Sequence, residues 1–199
     1  CYLDRVEVTG SNPVWPTKYF MKQIIAFGAS SSLKSINKRF ASFSAKLIQN
    51  STSKVLDLND FEMPIYSVDK ERVNGIPNKA FEFYDILKQS DGIIISFAEH
   101  NGSYTAAFKN IFDWISRIDK IVWHDKPMLL LATSDGVRGA SSVLLEAYKR
   151  ISHGHKYDDL PKFSLPFFSK NFDQNNGIKD SKLNEQFQNT ISDFQNILF

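Results

Sequence analysis

Short apolar runs alternate along this chain with segments in which apolar residues recur every three or four positions. Such runs are typical of buried strands, and the longer spacing is typical of helices that bury one face. The pattern predicts strands over residues 24–28, 54–58, 93–97, 126–133 and 162–165. It predicts helices over residues 35–49, 78–89, 104–118, 139–152 and 181–199.

Local signals refine these boundaries. Turn-forming residues predict that 64–77 is a loop, and a second loop is predicted between the last strand and Gly177. In the helix over 78–89, the spacing places Phe81, Ile86 and Leu87 on the buried side. Ser181 is predicted to cap the closing helix, because a hydroxyl there accepts a hydrogen bond from the first turn.

Alternating strands and helices predict a parallel sheet with helices on both faces. Five strands with this spacing favour the flavodoxin-like order 2-1-3-4-5, in an α/β domain that covers residues 21–199. In that topology a ligand binds beyond the carboxyl ends of the first and third strands. The loops after the first, third and fourth strands are therefore the place to look for chemistry.

The first twenty residues do not continue this pattern. Pro13 and Pro16 break any helix, and Met21 stands directly before the first predicted strand. We interpret residues 1–20 as a leader foreign to the domain. Residues 9–14 have the sequence that results when the DNA of a tRNA T-arm is translated. The alternative is a genuine, ordered extension.

Composition excludes several kinds of partner. Twenty-four basic and 22 acidic residues leave a net charge of +2 without a basic block, which argues against nucleic acid. No apolar run approaches the roughly 20 residues that span a bilayer, so no membrane partner is expected. Cys1 is the only cysteine, which excludes a disulfide framework and a thiolate metal site. This fits a reducing compartment and a cytoplasmic location.

The first loop, over residues 28–37, is dense in serine and opens a helix. Backbone N–H groups, the helix dipole and hydroxyl groups together favour a phosphate. The loop lacks the residues of a Walker motif and of a GxGxxG motif, so a terminal phosphate monoester suits it better than a buried pyrophosphate. The alternative is an ordinary serine-rich turn that caps the helix.

The second and third loops offer flexible backbone and a few polar side chains. In the second, Gly102 permits close approach to a flat ligand, while Asn101 and Ser103 either cap the next helix or bind that ligand. Glu99 and His100 resemble an acid–base pair, but no nucleophile accompanies them. The third loop, over 134–140, contains two further glycines and an arginine that either neutralises ligand charge or is simply solvated.

Two of these loops resemble motifs of the NADPH-dependent FMN reductase family of small flavin, quinone and azo-dye reductases. Residues 29–37 stand where the family has Gly-Ser-x-Arg-x-x-Ser-x-Asn, with Ala29 replacing the glycine and Ser32 the arginine. Residues 98–117 resemble the family's Pro-Glu-Tyr-Asn-Gly-Ser motif and the Leu-Lys-Asn-Ala-Ile-Asp-Trp helix that follows it. Residues 58–66 resemble its acidic-Pro-Tyr loop.

The resemblance implies an FMN site that takes NADPH or NADH as co-substrate and passes electrons to a flavin, quinone or azo acceptor. It implies no catalytic side chain, since the flavin carries the chemistry. It assigns the phosphate to Ser30, Ser32, Ser35 and Asn37. It assigns the ribityl chain and one side of the ring to Glu99, His100, Asn101, Gly102 and Ser103, and the other side to Ser134, Asp135, Gly136 and Arg138.

The same resemblance implies a homodimer or homotetramer. Phe112, Trp114 and Trp123 are candidates for a helix face at the subunit interface, with the protein core as the alternative for each. Two other functions stay open: a flavodoxin-type electron carrier, and a flavin-free relative that keeps the fold as a binding or regulatory domain.

Overall fold

A computed structural model describes residues 21–157 and 159–199; the predicted leader lies outside them. In chain order the strands are β1 (Lys22–Ala29), β2 (Ser51–Leu56), β3 (Gly92–Phe97), β4 (Glu99–His100), β5 (Ser103–Tyr104), β6 (Met128–Thr133), β7 (Lys162–Leu165), β8 (Phe172–Asp173) and β9 (Gly177–Ile178). The helices are α1 (Ile36–Lys46), α2 (Val68–Asn74), α3 (Asn78–Gln89), α4 (Ala106–Ile115), α5 (Ser141–Ser152), α6 (Phe168–Asn171) and α7 (Ser181–Leu198). None of these helices is long and apolar enough to cross a membrane.

The main sheet is parallel and has the order β2-β1-β3-β6-β7. Because β6 and β7 are the fourth and fifth predicted strands, the predicted flavodoxin-like order is confirmed. The chain passes from β2 back across β1 to β3, so the strand order reverses between β1 and β3. That reversal creates the crevice in which sheets of this kind bind ligands.

The sheet is covered on both faces, and each face has its own apolar core. The central strands β3 and β6 are buried along their whole length, as strands of a parallel sheet covered on both sides should be. Helices α1 and α7 cover one face with side chains that include Phe40 and Phe187. Helices α3, α4 and α5 cover the other, where Trp114 is 1% exposed.

Several local predictions are wrong. The predicted loop over 64–77 contains helix α2, which Ser67 caps by accepting a hydrogen bond from the Lys70 N–H at 3.2 Å. Helix α2 buries no side chain, so it has no apolar face for a periodicity to reveal. Phe81 is 41% exposed rather than turned inward. Helix α7 is capped by Asp180 and not by Ser181, because the Asp180 carboxylate accepts from Leu183 N–H at 2.9 Å.

The predicted loop between the last strand of the sheet and Gly177 is also more structured than expected. It contains the single turn α6 and the two-residue strands β8 and β9, which pair antiparallel. Elements this short carry no periodicity that a sequence pattern can detect.

Two partly buried imidazoles, His124 and His155, lie outside the predicted ligand edge. Burial lowers the pKa of His124 and of His155 below the ordinary value of 6.5, and Nε2 of each ring has no partner among the described residues. Between pH 6.5 and the lower folded-state pKa values, the unfolded chain therefore binds more protons than the folded one. Charging these rings favours the unfolded state.

We expect the free energy of unfolding to be highest above pH 6.5 and to fall as the pH is lowered from there. Urea unfolding between about pH 7.5 and 5 measures this slope. The double variant His124→Asn with His155→Gln should flatten it, and an equally steep slope in that variant would contradict the assignment. Carboxylates such as Asp57, whose pKa a hydrogen bond from Lys38 lowers, contribute only at lower pH.

Candidate functional site

Three loops leave the sheet at the same level. Ala29 at the end of β1 pairs with Phe97 at the end of β3, and Phe97 pairs with Ala132 near the end of β6. Residues 30–35 of the first loop therefore begin beside the second loop (98–105) and the third loop (134–140) at the carboxyl edge. This is the convergence that the sequence predicted.

The first loop turns tightly onto the N-terminus of α1. Ser30 Oγ accepts from the Ser32 N–H at 3.1 Å, and Ser35 caps α1 by accepting from the Lys38 N–H at 3.1 Å. Each of these two hydroxyls keeps its own O–H to donate. Within the described residues, five backbone N–H groups here have no acceptor, those of Ser31, Leu33, Lys34, Ile36 and Asn37.

Gly28 brings this helix close to the sheet. A Cβ atom on Gly28 would lie 2.3 Å from the Lys38 backbone nitrogen and 2.8 Å from the Asn37 carbonyl carbon. Real Cβ atoms do not approach backbone this closely, so only glycine fits between β1 and α1. No local pattern around Gly28, the predicted start of the first loop, indicates this packing role.

The Asn37 side chain is hydrogen-bonded to buried groups in the protein interior. Its Oδ1 accepts from the Ser96 hydroxyl at 2.7 Å and from the Thr133 N–H at 3.1 Å, while its Nδ2 donates to the Thr133 carbonyl at 3.1 Å. The residue is 3% exposed. Asn37 thus ties α1 to β3 and β6, and its side chain is directed at these strands instead of at the first loop.

The second loop is a tight β-hairpin. Strands β4 and β5 pair antiparallel, and Asn101 and Gly102 form the turn with φ values of 53° and 83°. Positive φ at both central residues defines a type I′ turn, for which Asn-Gly is the preferred sequence. A Cβ on Gly102 would meet nothing within 4 Å, so backbone conformation and not crowding selects glycine here.

Neither Asn101 nor Ser103 caps the helix that follows. Thr105 does so, since its Oγ1 accepts from the Phe108 N–H at 3.2 Å. The same hydroxyl donates to the Ala29 carbonyl at 2.9 Å, which joins the second loop to the end of β1. The capping alternative for Asn101 and Ser103 is therefore wrong.

The third loop is anchored to the segment after β7. Ser134 Oγ accepts from the Gly136 N–H at 3.3 Å, and Asp135 accepts from the Ser169 N–H at 2.7 Å. Gly139 has a φ of 56°, and a Cβ on it would lie 2.7 Å from the Leu165 carbonyl carbon. Gly139 was predicted to let a ligand approach the backbone closely. In the structure its missing side chain instead leaves room for the backbone after β7.

Glu99 and His100 do not form an acid–base pair with each other. The Glu99 carboxylate accepts from the Val143 N–H at 3.1 Å and lies 3.8 Å from the Arg138 guanidinium. His100 is exposed. Since the carboxylate is occupied and neighbours no nucleophile, the hairpin presents mainly backbone to a ligand.

A second pair of motifs meets beside the first loop, where Ser31, Met63 and Asn110 line one cavity. Asn110 Oδ1 accepts from the Tyr66 N–H at 2.8 Å, and Trp114 Nε1 donates to the Pro64 carbonyl at 2.7 Å. Arg117 and Tyr66 both bind Glu71. Two of the segments that carried the resemblance are therefore neighbours in space, and their side chains fix the loop that precedes α2.

The donors of the first loop fit a nucleotide phosphate. Free N–H groups at a helix N-terminus together with serine hydroxyls make an anion site, and the arginine absent at Ser32 removes one charged donor without blocking the loop. The other two loops frame the neighbouring edge. Fold and loops together define a flavodoxin-like domain with a candidate anion site at its carboxyl edge.

Comparison with known proteins gives the family. The sequence profile of the family described as "NADPH-dependent FMN reductase" matches residues 22–182, so the chain belongs to that family. An Escherichia coli quinone reductase is 31% identical over 80 residues, which are 40% of this chain and 43% of that protein. An Arabidopsis thaliana NADPH:quinone oxidoreductase is 28% identical over 136 residues, which are 67% of this chain and 68% of that protein.

Solved structures show the same fold. The flavoenzyme NAD(P)H:(acceptor) oxidoreductase FerB from Paracoccus denitrificans superposes with a TM-score of 0.69 at 22% identity, over 89% of this chain and 97% of its own. The apo form of the NADH:FMN oxidoreductase EmoB gives 0.60 at 19% identity, over 87% and 88%. The alignment with the E. coli relative spans less than half of that protein.

Proposed function

We propose that this protein is an NAD(P)H-dependent, FMN-containing oxidoreductase. The observation that carries the proposal is the cluster of unpartnered N–H groups and serine hydroxyls at the start of α1. This cluster lies beside the two loops that follow the neighbouring strands β3 and β6. FMN requires an anion site for its phosphate and a slot for its ring, and we place this flavin slot between the second and third loops. Family membership supports this choice of nucleotide.

Each group of residues has its own role in binding FMN. Ser30, Ser32 and Ser35 donate to the phosphate together with the loop N–H groups. Asn37 contributes indirectly, by holding α1 against the sheet. The backbone of 99–103 and of 134–138 lines the ring, while Arg138, 71% exposed, offers positive charge at the rim. Bound FMN supplies hydride and electron transfer, so the chain has only to hold it and leave one face accessible.

A quinone is the proposed electron acceptor. Relatives named for quinone reduction support this class, among them a Burkholderia 2-hydroxy-1,4-benzoquinone reductase that is 33% identical over 109 residues. Flavin and azo compounds can accept two electrons in the same way. The proposal includes both NADPH and NADH as hydride donors. A cytoplasmic location, where reduced nicotinamides are abundant, belongs to the same proposal.

Two measurements on the full chain test this function. Titration of the apoprotein with FMN should quench flavin fluorescence to saturation at one FMN per chain. The loaded protein should then oxidise NADPH or NADH in the presence of a benzoquinone. Flavin binding without steady-state turnover would favour an electron carrier, and absence of flavin binding would favour the flavin-free alternative.

The double variant Ser30→Ala with Ser35→Ala tests the phosphate site. We expect FMN binding to weaken by about 1–3 kcal/mol, because hydrogen bonds to a charged group are lost. Fluorescence titration measures the change. Ser35 also caps α1, so Ser67→Ala is the matched control: it removes an equivalent cap from α2, far from the loop in sequence, and should leave FMN affinity unchanged. Equal affinity in the double variant and the wild type would refute the assignment.

We further propose a homodimer or homotetramer. Phe112, Trp114 and Trp123 are 8%, 1% and 6% exposed, so they belong to the core and not to a free helix face. Exposed apolar side chains lie instead around α2, where Ile65 and Val68 are 76% and 69% exposed. Sedimentation of the FMN-loaded protein measures the assembly.

A further inference from the structure

Helix α5 begins without a cap of its own. Its N-cap residue is Ala140, which has a left-handed φ of 63° and no side-chain acceptor. The first turn of a helix nevertheless has N–H groups that need acceptors from outside the helix. One of them, the Val143 N–H, donates to Glu99 Oε2 at 3.1 Å. The cap thus comes from a residue 44 positions earlier in the chain.

This carboxylate bridges two loops. Glu99 belongs to the second loop, whereas Ala140 and Val143 continue the third loop into α5. The Glu99 side chain is 14% exposed and lies at the positive end of the α5 helix dipole. Among the described residues, the bond to Val143 and the pair with Arg138 at 3.8 Å are the polar side-chain contacts between the two loops.

The third loop is held independently on its far side. Ser164 Oγ donates to the Gly139 carbonyl at 2.8 Å, and the Phe167 N–H donates to the Gly136 carbonyl at 3.3 Å. These contacts connect the loop to β7 and to the chain directly after it, on the side away from the hairpin. Beyond the paired strands β3 and β6, the Glu99 carboxylate is therefore the side chain that joins the second loop to the third loop and α5 among the described residues.

We propose that Glu99 is a positioning residue that sets the width of the flavin slot by capping α5 across it. This inference rests on the proposed function, because those two loops are the ones assigned to the FMN ring. Glu99 acts through the Val143 amide and contacts no reacting atom. Without the carboxylate, the loops have to be ordered when FMN binds, and that ordering weakens binding.

Three variants test the proposal in the apoprotein of this chain. Glu99→Gln keeps an oxygen that accepts from Val143, while Glu99→Ala removes it. Lys149→Gly is the control, because it weakens α5 at an exposed position away from both loops. We expect the FMN dissociation constant to rise about tenfold or more in Glu99→Ala, to stay within about threefold of wild type in Glu99→Gln, and to be unchanged in Lys149→Gly.

Amide hydrogen exchange provides a readout that needs no flavin. Exchange at Val143 and through residues 136–140 should be faster in Glu99→Ala than in the wild type or Glu99→Gln. Wild-type FMN affinity in Glu99→Ala, or equal losses in the Gln and Ala variants, would overturn the proposal. If the wild type binds no FMN, the proposed function fails by itself; unchanged exchange over 136–143 in Glu99→Ala would then overturn the positioning role as well.

Discussion

Gly28→Ala is expected to lower the melting temperature by roughly 6–12 °C, the shift that corresponds to about 3 kcal/mol in a chain of this size. The added methyl group would lie 2.3 Å from the Lys38 nitrogen, and its nearest neighbours are backbone atoms of α1. Backbone cannot rotate aside as a flexible side chain can. Helix α1 must therefore move away from β1, which exposes part of the core around Phe40.

The same displacement should weaken FMN binding, since α1 carries the first loop on its N-terminus. Calorimetry and fluorescence titration measure the two effects. Gly136→Ala is the control for stability, because Gly136 has no positive φ and a Cβ there meets nothing closer than 3.6 Å. A melting temperature for Gly28→Ala equal to that of Gly136→Ala would contradict the packing described here.

Asn37→Ala should reduce the free energy of unfolding by about 3 kcal/mol, because it leaves several buried polar groups without partners. The Ser96 hydroxyl and both backbone groups of Thr133 lose the bonds that the Asn37 amide makes. These groups lie in the interior, where water does not replace the lost partner. Urea unfolding at neutral pH measures the loss.

Ser96→Ala is the graded control for this prediction. It removes one partner of Asn37 and leaves the two bonds to Thr133 in place, so it should cost about 1 kcal/mol. Equal effects of the two substitutions would show that the amide does not act as a junction. The two substitutions also separate two roles for Asn37. If Asn37 bound the phosphate directly, Asn37→Ala would lower FMN affinity with little change in stability. The structure predicts instead that the larger effect is on stability.

Much of the fold could be predicted because buried strands and helices have recognisable patterns of apolar residues in the local sequence. The runs around Ile93–Phe97 and Met128–Thr133 read as buried strands, and helix α3 has the predicted bounds of 78–89. Prediction failed where an element buries nothing, as in α2, or is only two to four residues long, as in α6. Neither kind of segment has an apolar period.

The candidate site was predictable only in part. The sequence indicated which loops would share an edge, because parallel strands all end on the same side of their sheet. It did not indicate which side chains within those loops would face a ligand. Asn37 and Glu99 looked like ligand contacts from the family motif, yet both are bonded to distant parts of the chain.

The sequence by itself determined the order of strands and helices, the doubly covered parallel sheet and the serine-rich turn at the start of α1. Each of these follows from residues that are close together in the chain. Only the tertiary structure decided that Asn37 bonds to Thr133, 96 positions away, and that Glu99 caps α5. Such bonds depend on strand register and on how closely helices approach the sheet, and no local pattern encodes either distance.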